Sequence, residues 1–190
     1  MRKIDYCSRP FAGNTILLAC IAAAVYVGRV SSYGSPEPSV NNAQAATYEL
    51  GNVISFGEGG GSEKYKRSGW SDPEKQFTWT TGTSAKLLLK VPNTSEPLQL
   101  RMRLSGFINP PGLPSQPVEI LANGQKIADW QVSSPAEFTA TVSAAIASTG
   151  ELSIEIKTPK AASPKALGVS DDSRILGVNC FEMTLSKSTQ

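Results

Sequence analysis

Two stretches of this chain hold residue types able to do chemistry. One is Asp171-Asp172-Ser173-Arg174, the densest polar cluster. The other is GEGGGSEKYKRSGWSDPEKQFTWTTG, from Gly57 to Gly82, which runs from glycines through Lys64, Lys66 and Arg67 to Trp70 and Trp79. Carboxylates beside an arginine can serve in three ways. Asp172 and Arg174 can pair and fix a loop, or the cluster can meet a polar ligand. Asp171 or Asp172 can also join backbone carbonyls around a calcium ion, which favours oxygen ligands. No D-x-D-x-D-G calcium loop is present, and no metal ligand is assigned. Glycoside hydrolysis needs two carboxylates facing each other across roughly 5–10 Å. Glu58, Asp72, Glu74 and Asp172 could supply them if their loops converged, but their spacing selects no pair. No catalytic residue is assigned.

The glycines of the second stretch do not form a phosphate cradle. That motif requires G-x-x-x-x-G-K-[ST] between a strand and a helix. Gly57, Gly59, Gly60 and Gly61 lead instead to Ser62-Glu63-Lys64, with no helical pattern behind them. A flexible loop is the reading. Trp70 follows Gly69 in polar surroundings. Sugar rings present apolar C–H faces, so a tryptophan can lie beneath one while its N–H serves a polar partner. Trp70 is read either as such a platform, with Arg67 beside it, or as a ring that closes one end of the fold. Trp79 alternates with Phe77 in a strand and is read as core, as is Trp130. The ligand-binding set is therefore Arg67, Trp70, Asp171, Asp172 and Arg174, with no cofactor.

Composition removes several classes of function. There is no histidine, which excludes Ser-His-Asp and Cys-His catalysis and imidazole zinc sites. Of 18 Lys and Arg and 16 Asp and Glu, the first 45 residues hold four and two, so the rest is balanced at 14 against 14. A neutral domain lacks the basic footprint that a nucleic-acid backbone demands. Cys7 and Cys20 lie near the N-terminus, leaving Cys180 as the single thiol of the main domain and no internal disulfide.

Residues 1–10 read as a cytoplasmic tail with Arg2, Lys3 and Arg9. Phe11 to Gly28, FAGNTILLACIAAAVYVG, is uncharged and long enough for a helix to cross a thin bilayer. It reads as a signal anchor, holding a single-pass protein in the inner membrane with its domain outside the cytoplasm. Two other readings stay open. A signal peptide could be cleaved after Ala43-Gln44-Ala45, giving a periplasmic or secreted product, or Leu17-Leu18-Ala19-Cys20 could be a lipobox. Residues 29–46, rich in Ser, Pro and Asn, read as a flexible linker.

From residue 47 to 187 the dominant period is two. LQLRMRL places Leu98, Leu100, Met102 and Leu104 on one face, and ELSIEIK does the same with Leu152, Ile154 and Ile156. Such alternation marks half-buried antiparallel strands. Asn123-Gly124 between two further runs is a hairpin signal, because a type I′ turn needs positive φ at both central residues. Ile127 breaks parity with Trp130 and Val132, which predicts a bulge near Ala128-Asp129. Eight to ten short strands without crossover helices predict an all-β, antiparallel two-layer β-sandwich of jelly-roll type, preceded by one N-terminal apolar helix.

The order GWSDPEKQFTWTTG, PVEILANGQKIADW, SPKALGVSDDSRILGV resembles a β-sandwich domain of bacterial envelope proteins that is carbohydrate-binding-module-like. It often follows the membrane part of glycosyltransferase-like or phosphoglycerol-transferase-like proteins. The likeness spans roughly residues 48–185 and is most specific at Ser163-Pro164, Leu167-Gly168, Asp171-Asp172, Arg174 and Leu176-Gly177. It implies a non-catalytic extracytoplasmic binding module whose partner is an envelope glycan or a membrane glycosyltransferase-like enzyme. The alternative is a structural partner that docks on a membrane-protein complex and has no sugar site.

Overall fold

The computed structural model describes residues 44–188. The tail, the apolar run Phe11–Gly28 and most of the linker lie outside the described residues. Among the described residues, no helix is long and apolar enough to cross a membrane.

Ten strands form two sheets. The first sheet has the order β1 (Ala46–Thr47), β4 (Ser84–Lys90), β9 (Glu151–Lys157), β6 (Gln116–Ala122), β7 (Gln125–Val132). In the second, β2 (Val53–Ser55), β10 (Leu176–Lys187), β5 (Leu98–Gly106) and β8 (Ala136–Val142) run in that order, and β3 (Thr78–Thr81) also pairs with β10. Pairing is antiparallel throughout except where β1 lies parallel to β4. The one α-helix among the described residues, α1 (Ala144–Ala147), is a single turn between β8 and β9. The expected β-sandwich is present.

Alternation builds the core. Leu98, Leu100, Met102 and Leu104 of β5 face Leu152, Ile154 and Ile156 of β9 across the interior, all of them fully buried. Each such side chain contributes about 1.5–3 kcal/mol by leaving water. Asn123 and Gly124 have φ of 46° and 78°, the geometry of the predicted turn. The β7 bulge sits one residue earlier than expected. Ile120 pairs with Ala128 and Leu121 with Lys126, so Ile127 is the extra residue.

A second bulge was not anticipated. On β10, Cys180 pairs with Leu104 and Glu182 with Arg103, which leaves Phe181 unmatched. Val178 and Cys180 before it, and Met183 and Leu185 after it, all point into the core. Phe181 and Glu182 are both left on the outside.

Residues 65–71 close the side between the sheets. Arg67 N–H donates to Lys86 C=O (2.9 Å) and Lys86 N–H to Ser68 C=O (2.9 Å), as an added edge to β4. Thr81 N–H then donates to Gly69 C=O (2.8 Å), and Ser71 N–H to Trp79 C=O (3.0 Å), as an edge to β3. Gly69 marks the switch. It has φ of 82°, and a Cβ there would stand 2.0 Å from Ser84 O. Only glycine fits both demands.

Candidate functional site

The glycine-rich stretch is structural. Gly61 bridges to Ser55 of β2, and the chain continues into a single 3-10 turn, Ser62–Lys64. No helix follows on which a phosphate could rest.

Behind it, Lys66 enters the sandwich and is buried. Its ammonium donates to Glu63 (2.6 Å) and to Thr78 Oγ1 (2.8 Å), and lies 5.8 Å and 5.7 Å from the ring centres of Phe56 and Trp70. Thr78 O–H in turn donates a hydrogen bond to Phe56 C=O (2.6 Å). Thr80 Oγ1 accepts from Val178 N–H (3.0 Å). The inward face of β3 is thus threonine, because a buried cation and two main-chain groups need polar partners there.

Trp70 belongs to this closed end. Its ring packs on Phe56 with centres 5.2 Å apart, and its indole N–H donates to Lys86 C=O (2.8 Å). Of the two places left open by the sequence, the structure puts it at the end of the sandwich. Arg67 donates to the carbonyls of Lys66 (2.8 Å), Lys64 (3.2 Å) and Gln44 (3.2 Å). It holds main chain together on all three counts.

Asp172 and Arg174 pair as one of the three readings had it. Arg174 Nε and Nη2 reach both oxygens of Asp172, at 3.0 Å and 2.7 Å to Oδ2, and Asp172 Oδ1 also accepts Arg174 N–H (2.9 Å). The Arg174 side chain, then its main-chain N–H, holds the Asp172 carboxyl below the usual carboxylate range. Asp172 C=O accepts from Lys165 N–H (2.8 Å) and Ser163 Oγ (3.1 Å), which locks the loop. Arg174 also reaches Glu74 at 3.7 Å. Two of the four carboxylates weighed for hydrolysis therefore converge, but on one guanidinium between them, which pairs closely with Asp172 and loosely with Glu74. Asp171 is exposed in the same loop. Among the described residues, no three His, Cys, Asp or Glu side chains gather as a metal site.

The expected position of Trp79 is reversed. With Thr78 and Thr80 turned inward, Phe77 and Trp79 must face out, where both are half-exposed. They are not alone. Trp79 stands edge-to-face with Phe107 (6.4 Å between centres) and with Phe77 (5.7 Å), and Phe77 with Phe181 (5.4 Å). The Arg103 guanidinium lies 4.9 Å over Phe181. Each ring thus braces the next.

Asn179 stands at the foot of this row. It pairs in register with Trp79 on one side and Ser105 on the other, so all three side chains share the outer face. Only 8% of Asn179 is exposed, and its Oδ1 has no hydrogen-bond partner among the described residues. The Trp79 indole N–H also has none, while that of Trp70 is occupied. An acceptor, a donor and a set of apolar rings are thus left open together. Alternation alone pointed the aromatic residues inward. The usable signal was the parity break between Cys180 and Met183, which frees Phe181.

No family model matches the chain, and no curated protein matches it at a significant level. Solved structures similar to it include several described as carbohydrate-binding domains, besides carbohydrate-active enzymes such as a ruminal GH26 mannanase. The CBM36-1 domain of a multidomain xylanase from the hindgut metagenome of Trinervitermes trinervoides is 15% identical, with TM-score 0.45, covering 73% of this chain and 98% of that one. The CBM22-1 xylan-binding domain from Paenibacillus barcinonensis is 16% identical, with TM-score 0.45, covering 76% and 99%. A Clostridium stercorarium module, CBM6-3, solved with cellobiose, is 10% identical, with TM-score 0.40, covering 76% and 98%. These likenesses are too remote to bear on what this chain binds.

Proposed function

We propose that this protein is a non-catalytic glycan-binding module and that the outer face of the second sheet is its binding surface. One observation carries the reading. The row Phe107–Trp79–Phe77–Phe181 borders a nearly buried, unpartnered acceptor, Asn179 Oδ1. Rings supply stacking surface for apolar sugar faces. The amide oxygen would take a sugar hydroxyl, and a buried polar atom without a partner costs about 1–3 kcal/mol until it finds one. Arg67, Trp70, Asp172 and Arg174 are assigned to holding the neighbouring loops, and Asp171 to their exposed rim. The module works outside the cytoplasm, on an envelope glycan or a glycan-handling membrane enzyme, with Phe11–Gly28 as its tether or leader.

Affinity electrophoresis of the full chain through gels containing polysaccharides tests this. At least one polysaccharide should retard the wild type. Trp79→Ala should lose that retardation tenfold or more with little change in melting, whereas folded Trp70→Ala should keep it. Equal retardation of wild type and Trp79→Ala would refute the assignment.

A second reading has its own support. Leu167, Val169 and Ile175 are 40%, 54% and 48% exposed on the loop that Asp172 and Arg174 lock, as a surface for docking on a membrane-protein complex would be. Loss of co-purifying partners in a Leu167→Ser, Val169→Ser variant that still binds polysaccharide would separate the two.

A further inference from the structure

The two arginines of the outer face are in different states. Arg101 pairs with Glu137 at 3.5 Å. Arg103 lies in register between Glu137 of β8 and Glu182 of β10 and forms an ion pair with neither among the described residues. It leans instead on Phe181, at the end of the aromatic row. Its side chain also makes no hydrogen bond there, so its N–H groups are all open. The guanidinium held over this ring presents a planar fork. That fork matches the two oxygens of a carboxylate, or of a phosphoryl group, far better than a single hydroxyl. The repelling groups nearby are Glu137 and Glu182. Arg101 pairs with the first, and both carboxylates line one crease with Arg101 and Arg103, so Glu182 is the unpaired charge an anionic ligand must tolerate.

We propose that the glycan taken by this face carries an acidic substituent and that Arg103 binds it, with the sugar ring seated on the aromatic row. This rests on the glycan-binding reading. Asn179 and Trp79 then hold the sugar itself, and Arg103 sets the preference for charge.

The test uses the full chain and polysaccharides in matched pairs: glucuronoxylan and xylan stripped of its uronic acid, polygalacturonate and its methyl ester, phosphomannan and its dephosphorylated form. The expected result is at least one acidic member bound tenfold or more tighter than its neutral twin. Which pair responds tells carboxylate from phosphate. Arg103→Ala should erase the difference while leaving neutral binding, Arg103→Lys should keep part of it, and Glu182→Gln should widen it. The preference should shrink as salt rises. Equal binding within every pair overturns the inference and leaves the glycan reading intact. So does a preference that survives in Arg103→Ala. Failure of all six polysaccharides counts against both, and melting of each variant guards against misfolding.

Discussion

Trp70 and Trp79 border the same strand and finish in opposite conditions. Trp70 bridges to Thr80, lies on Phe56, faces a buried ammonium and has its N–H occupied. Trp79 lies in the strand, one residue from Thr80, with an open N–H, and meets only other half-exposed rings. Their residue type is the same. The difference goes with the inward threonines of β3, Thr78 meeting the buried Lys66 ammonium and Thr80 the Val178 N–H, which leaves the aromatic residues on the outer face. Where the end of a sandwich holds a cation, the neighbouring strand can present its hydrophobic side to the solvent.

That contrast can be broken from the closed side first. Gly69→Ala sets a Cβ against Ser84 O at a positive φ, and should cost about 3–4 kcal/mol in urea unfolding, the range of the severest single changes. Trp70→Ala should cost about 3 kcal/mol by the loss of a packed ring. Trp79→Ala should cost no more than about 1 kcal/mol, its effect falling on retardation by polysaccharide. A large destabilisation by Trp79→Ala would erase the distinction between the two rings.

Smaller effects sharpen it. Asp172 titrates below its unfolded value, so the loop it locks keeps that support above the ordinary carboxylate range and loses it only as pH falls through the lowered value. Amide exchange in residues 163–175, corrected for intrinsic rates, should stay flat from neutral pH down to about pH 4 and rise below it. Opening at a higher pH would detach Asp172 from this role. Smallest of all, the Cys180 thiol is fully buried, and burial pushes its pKa up despite the nearby Lys66. It should ignore a thiol reagent in the native protein and react at once in denaturant. Fast native labelling would show that the core below the aromatic row opens.

The sandwich was legible because its central strands obey simple rules. LQLRMRL and ELSIEIK keep strict alternation, and Asn123-Gly124 can hardly be anything but a tight turn. The Asp172–Arg174 pair was also readable, since residues two apart in a short loop lie within reach of each other. The aromatic row was not. Its rings come from β3 and the residue before it, from the residue after β5 and from a bulge in β10, and no local window holds more than two of them. Nor does hydrophobicity report that Thr78 and Thr80 face inward, because their hydroxyls are matched to Lys66, Phe56 and Val178, all distant in sequence or supplied by the main chain. Alternation names two faces. Partners distant in sequence decided which was which.

The extra residue at Phe181 has one more consequence. Since β10 resumes its inward order at Met183 whatever occupies positions 181 and 182, the exterior pair can change identity without disturbing the interior. Selection could therefore retune the chemistry of this outer face while the scaffold beneath stays as it is.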